Sequence, residues 1–252
     1  MSVGRALYVP GDSPVHRMPG EAKIAASALF TVAVVLTPRE ALWAFGCYAV
    51  LVACVLAVAR VSPLWLLSRS LVETPFLLLA VLLPFTAGGP TLQLLGTALS
   101  IDGLYGAWNV FAKATLGVWA SLILAATTPV NALLAGLDRL RCPAVVVQIA
   151  TFMVRYVHVM IDEARRMRMA RLARGDDPRF LWQLRGYAFG LGALFLRSYE
   201  RGERVYVAML SRGYDGRMPL AATLPVARPA HWSAAAALLL AAYGIALAAA
   251  VV

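Results

Sequence analysis

From Ala41 to Ala59 the chain carries no charged residue, and the run closes at Arg60. That is close to the roughly 20 apolar residues a helix needs to cross a bilayer, and in lipid a helix lets every backbone polar group bond within its own segment. Four further apolar runs follow the same logic. The run at 24–37 is short for a crossing unless Glu21 and Lys23 snorkel from its end. The run at 71–87 holds Glu73 and Pro75 near its start and Pro84 near its end, and Gly88-Gly89-Pro90 stops it. The run at 104–128 is interrupted by Asn109 and Lys113, and that at 231–252 is Ala-, Leu- and Val-rich with Trp232 where an interfacial anchor belongs. Composition agrees: 61% of residues are hydrophobic and 14% charged, where soluble domains carry about 25% charge. A soluble globule is excluded, and the expected fold is an all-α integral membrane protein with about five transmembrane helices.

The connections give an orientation. Thr37-Pro38-Arg39-Glu40 is a tight turn, and residues 88–103 contain Asp102 but no Lys or Arg, which suits an outer loop carrying a short interfacial helix through Leu92–Ser100. Most of the 23 lysines and arginines lie instead between residues 129 and 230. By the positive-inside rule that block is cytoplasmic, as are the N-terminus and loop 60–69, and five spans place the C-terminus outside. The expected organisation is a cytoplasmic tail at 1–20, transmembrane helices one to four at 21–128, a cytoplasmic domain at 129–229 and a final span at 230–252. Met1–Gly20 is broken by Pro10, Pro14 and Pro19 and lacks the apolar core of a cleavable signal.

Within the basic block the periodicity changes. Ile149, Met153, Tyr156, Met160, Ala164 and Met167 recur at helical spacing, as do Leu191, Leu194, Phe195, Ser198, Gly202, Val205 and Met209. These are two amphipathic helices, and Asp176-Asp177-Pro178 between them lets them fold back across one another. Met160, Met167, Gly202 and Met209 are the candidate packing residues of that crossing, the glycine allowing close approach at a cost of about 1 kcal/mol relative to alanine. Each helix ends alike, in Ala173-Arg174-Gly175 and in Ser211-Arg212-Gly213. Glycine after a helix takes positive φ and stops it, while an arginine in the last turn complements the helix dipole. Both arginines are therefore expected at helix tips.

Residues for catalysis are scarce. His16, His158 and His231 stand apart from any carboxylate or cysteine at metal-ligand spacing, and Cys47, Cys54 and Cys142 are read as inert thiols. No phosphate-binding glycine loop occurs, so ATP is not expected to bind in the usual way. A basic block admits nucleic acid, but aromatic stacking platforms and a reader motif are missing. Glu73 and Lys113 are candidate intramembrane structural charges, and would pair if they faced each other.

Four stretches carry a resemblance: Leu71-Val72-Glu73-Thr74-Pro75-Phe76, Trp108-Asn109-Val110-Phe111-Ala112-Lys113-Ala114-Thr115, Phe152-Met153-Val154-Arg155-Tyr156 and Tyr199-Glu200-Arg201-Gly202-Glu203-Arg204-Val205-Tyr206. Together with the paired Arg-Gly tips, over about Pro19 to Asp215, the chain resembles the transmembrane T component of energy-coupling factor (ECF) transporters, within it the cobalt-transport branch CbiQ. The resemblance implies a non-enzymatic scaffold whose two signature arginines, here Arg174 and Arg212, dock in two cytoplasmic ATPase subunits. Ala173, Gly175 and Gly213 fit the signature, and Ser211 stands where it has Ala. The crossed helices would then pass ATP-driven motion to a separate substrate-binding membrane subunit, with a small accessory membrane subunit also admitted. It implies residence in the cell membrane, no cofactor in this chain, ATP on the partners, and cobalt as cargo ahead of nickel or a vitamin. Two other classes are a stand-alone permease, for which Glu73, Asn109 and Lys113 are thin material, and a membrane enzyme, for which the block at 129–230 offers mostly arginine.

Overall fold

Serine and proline punctuate this chain and set where its helices begin. The computed structural model describes residues 7–86, 88, 91–94, 97–175, 185–216 and 226–251. In chain order the helices are α1 (Pro14–Arg17), α2 (Gly20–Leu36), α3 (Leu42–Ala59), α4 (Pro63–Arg69), α5 (Thr74–Thr86), α6 (Ile101–Thr127), α7 (Val130–Arg139), α8 (Ala144–Ala173), α9 (Arg185–Leu210) and α10 (Pro229–Val251). A 3-10 turn, Ser70–Glu73, joins α4 to α5. Ser13, Ser62 and Ser100 accept hydrogen bonds from the first turns of α1, α4 and α6, and α1 and α4 also carry proline at their first position. There the missing N–H costs nothing, because first-turn donors have no partner within the helix.

The loop before α6 departs from the sequence expectation. In place of an interfacial helix through Leu92–Ser100, strands β1 (Thr91–Leu94) and β2 (Thr97–Ser100) pair antiparallel, with Thr91 opposite Ser100 and Leu94 opposite Thr97. The physical reason is period: Thr-Leu-Gln-Leu alternates polar and apolar residues, a strand pattern, and Ser100 serves as the N-cap of α6. Ser100 Oγ also donates to the Gly88 carbonyl at 3.1 Å.

Among the described residues, five helical stretches are long and apolar enough to cross a membrane: Leu42–Ala59, Pro63–Thr86, Ile101–Thr127, Ala144–Ala173 and Pro229–Val251. The chain is thus a multi-pass helical membrane protein, and the number is the expected one, but its membership differs. α2 has 17 residues and rises about 25 Å, short of the roughly 30 Å hydrocarbon core. α8 joins the set instead, because the run from Val145 to Val154 is interrupted only by Gln148 and Thr151.

The chain divides into two compact units, residues 1–140 with 223–252, and residues 141–222. In the first, the membrane unit, α2 lies against α6, α7 and α10, α3 against α6 and α10, and α5 against α6. Alanines occupy many of the buried positions, among them Ala33, Ala44, Ala112, Ala126 and Ala242. Small side chains let helix axes approach where lipid removes the hydrophobic drive between them. Tyr48 is fully buried at the centre, its hydroxyl 3.1 Å from the Ala242 carbonyl oxygen and 2.9 Å from Thr37 Oγ1. Its ring meets Phe30 edge to face, with centroids 5.8 Å apart. Arg39 lies 3.5 Å from Asp102, which puts the 37–40 turn and the start of α6 at one end of this unit.

The second unit consists of α8, α9 and the segments that end them. These two helices run antiparallel, joined at three levels. Arg171 near the end of α8 stacks on the Tyr187 ring near the start of α9, at 4.4 Å. Glu163 bonds Arg197 midway, and Gln148 near the start of α8 meets Tyr214 just past the end of α9. The Asp176-Asp177-Pro178 turn invoked between the helices lies outside the described residues.

Candidate docking tips

Each Arg-Gly pair closes its helix by the same backbone geometry. Gly213 has φ +83° and Gly175 φ +78°, a left-handed conformation that costs any residue with a Cβ. At the end of α9 the Tyr214 N–H bonds the Met209 carbonyl and the Gly213 N–H bonds the Leu210 carbonyl, both at 3.0 Å. That is the Schellman pattern, with Arg212 as the last, half-helical residue. At the end of α8 the Gly175 N–H bonds the Leu172 carbonyl at 3.0 Å and Arg174 is the C-cap, with φ −92° and ψ 9°. Both guanidinium groups are thereby set at the negative end of a helix dipole.

Ala173, Arg174, Gly175, Ser211, Arg212 and Gly213 are all exposed. Among the described residues, neither Arg174 nor Arg212 has a carboxylate within 4.0 Å. Ser211 Oγ donates to the Ala208 carbonyl at 3.1 Å, so the hydroxyl that departs from the expected alanine is absorbed by its own helix. Because α8 and α9 are antiparallel, their C-terminal tips lie at opposite ends of the unit. Gln148 marks the position of the α9 tip along α8, and Arg174 is 26 residues further on, which at 1.5 Å per residue separates the tips by roughly 40 Å.

The pairing that holds α9 against α8 was not among the sequence-derived candidates. Tyr214 Oη donates to Gln148 Oε1 at 2.7 Å, and Gln148 Nε2 donates to the Gly216 carbonyl at 2.6 Å. Arg166 lies 2.7 Å from Glu163, which also bonds Arg197. The one local signal was an aromatic residue directly after the helix-stopping glycine. Of the packing candidates, Met160, Met167 and Met209 are half-buried. Gly202 is exposed, and a Cβ there would meet nothing within 4 Å. It therefore permits no close approach. Gly190 faces the neighbouring helix instead, 3.7 Å from Arg171 Nη1 by the same measure.

Glu73 and Lys113 do not pair. Lys113 Nζ donates to the Val35 carbonyl at 2.8 Å, in the last turn of α2, while Thr115 Oγ1 donates to Glu73 Oε2 at 2.8 Å. Two residues along a helix turn the side chain by about 200°, so positions 113 and 115 address opposite sides of α6. Glu73 is buried, with its other carboxyl oxygen enclosed and without a partner among the described residues. Glu21 and Lys23 do not snorkel either. Both are buried: Lys23 Nζ donates to the Thr127 carbonyl at 2.9 Å and to Thr128 Oγ1 at 3.0 Å, and Glu21 lies 3.6 Å from Arg139. The bundle offers each of them partners that water or headgroups would otherwise supply.

A family model described as CbiQ, cobalt transport protein, matches residues 11–221. A putative fused cobalt transport protein CbiMQ of Methanocorpusculum labreanum is 31% identical over 186 residues, 68% of this chain and 30% of that protein. The cobalt transport protein CbiQ of Rhodobacter capsulatus is 34% identical over 135 residues, 53% of this chain and 55% of that protein. An energy-coupling factor transporter transmembrane protein EcfT of Bacillus selenitireducens is 30% identical over 228 residues, 83% of this chain and 82% of that protein. The match thus spans about a third to a half of the first two relatives and most of the third.

Proposed function

Because the chain belongs to the CbiQ cobalt transport protein family, and its relatives include T components of ECF transporters, we propose that it is the non-catalytic coupling subunit of an ATP-driven importer. Arg174 and Arg212 dock into two cytoplasmic ATPase subunits, α8 and α9 carry their motion, and a separate membrane subunit holds the cargo. ATP binds on the partners. Cobalt is the favoured cargo on family grounds, with nickel the second reading. The N-terminus and the arginine-rich stretches of α8 and α9 face the cytoplasm, where their positive charge belongs, and the apolar start of α8 lies at the membrane surface instead of crossing it.

The observation that carries this reading is the pair of exposed arginines, each fixed as a helix C-cap and set at opposite ends of one helical unit. A guanidinium offers five donors in a planar fork, and at a carboxylate-lined groove it makes bidentate, charge-assisted bonds that an ammonium reproduces poorly. Spacing of roughly 40 Å lets two folded subunits engage without competing for one site.

The test is Arg174→Ala, Arg212→Ala and the double variant in the full complex, assayed by copurification of the ATPase subunits and by metal uptake. Each single variant is expected to lower both, and the double to abolish both, while the chain itself stays membrane-inserted. Lysine at either position should restore only part. Copurification and uptake at the wild-type level in the double variant would refute the reading.

A further inference from the structure

The chain leaves the membrane unit after Leu140 and returns to it at Thr223, and one carboxylate is bonded to both connections. Glu21, in the first turn of α2, is 6% exposed. Its Oε1 accepts a hydrogen bond from the Ala227 N–H at 2.6 Å, just after the chain has returned. Its Oε2 lies 3.6 Å from Nε of Arg139, the last residue of α7, just before the chain leaves. All three residues belong to the membrane unit.

The surroundings make this junction stiff. A Cβ on Gly20 would stand 2.3 Å from the Ala132 carbonyl oxygen, and one on Gly136 would stand 2.7 Å from the Glu21 backbone nitrogen. The backbones of α7 and the start of α2 are thus in contact with no room for a side chain between them. Lys23, two residues on, is bonded to Thr127 and Thr128 at the end of α6. Beyond α7 the chain turns sharply at Arg141, with φ +62°, a backbone conformation rare for a residue with a Cβ. A carboxylate has two acceptor oxygens, and here each serves one connection. Releasing either leaves a buried charge half-satisfied, which is costly. One buried side chain thus bonds residues beside both connections.

We propose that Glu21 is a positioning residue for coupling: it clamps both connections to the start of α2, so that movement of the α8–α9 unit reaches the membrane helices instead of being lost in the linkers. This rests on the coupling role proposed above.

The experiment uses the complete complex, with its ATPase and substrate-binding subunits, in proteoliposomes supplied with Co²⁺ or Ni²⁺. ATP hydrolysis, uptake and hydrogen exchange are measured for wild type, Glu21→Ala, Glu21→Gln, Glu21→Asp and Arg139→Gln. Glu21→Ala should assemble and hydrolyse ATP within about twofold of wild type, while uptake per ATP falls by about tenfold or more. Glu21→Gln keeps an acceptor for the Ala227 N–H but loses the ion pair, and with Arg139→Gln it should fall between; Glu21→Asp should recover part of the loss. Hydrogen exchange should quicken in peptides covering both 136–140 and 226–230, and not in α3. Wild-type uptake per ATP in Glu21→Ala, or exchange that quickens at one connection alone or at neither, would overturn the proposal. Should Glu21→Ala not assemble, Glu21→Gln and Arg139→Gln carry the same two readouts. A wild-type complex that hydrolyses no ATP or takes up no metal instead sinks the coupling role, and the exchange data then judge the clamp alone.

Discussion

At Gly213 the C-cap of α9 depends on one backbone dihedral angle. With φ at +83°, alanine there costs roughly 1–2 kcal/mol, and the strain falls on the C-cap that aims Arg212. Gly213→Ala is therefore expected to weaken retention of ATPase subunits by about tenfold, the equivalent of about 1.4 kcal/mol. Asparagine tolerates the left-handed region, so Gly213→Asn should keep most of the retention. Equal retention of all three on immobilised complex would show that the cap does not orient the arginine. The tips were legible in the sequence because a helix stop is a local event: glycine, the arginine before it and the apolar period leading to them all lie within one short window. What Glu21, Lys23, Glu73 and Lys113 bond to was not legible, for the opposite reason. Their partners, Arg139, Thr127, Thr115 and Val35, are remote in sequence, and nothing in a single chain of letters says that a charge near a span end has found an acceptor instead of turning toward water.

At the scale of elements, Tyr214 makes a polar contact between α9 and α8 beside the α9 tip. Removing its hydroxyl breaks the bond to Gln148 Oε1, worth on the order of 1 kcal/mol. Tyr214→Phe should quicken hydrogen exchange over residues 208–216 and leave the membrane unit's melting temperature unchanged; unaltered exchange there would remove the contact from the account. Helical period exposed both amphipathic helices, yet it placed Gly202 in a close crossing where the structure leaves it open, because a stripe of spacing does not say which residues along it touch a neighbour. The strand pair of 91–94 with 97–100 was missed for a related reason. Apolar residues in a short loop satisfy a surface helix or a strand pair about equally well, and the alternation that decides between them spans only four residues a side.

On the scale of the whole molecule, composition established a helical membrane protein, and five spanning-length helices agree with it. The membership of that set was less legible: α2 falls one turn short, and the start of α8 is apolar enough to qualify. Two amphipathic helices and a basic block accompany a bundle rich in buried alanine. The central claim is that the two tips are held by partner subunits, and photo-crosslinking measures that directly. With a photoreactive residue at position 174 or 212 in the assembled complex, each position is expected to join this chain to an ATPase subunit. Crosslinks from both positions that return to this polypeptide, or end on lipid, would contradict the account.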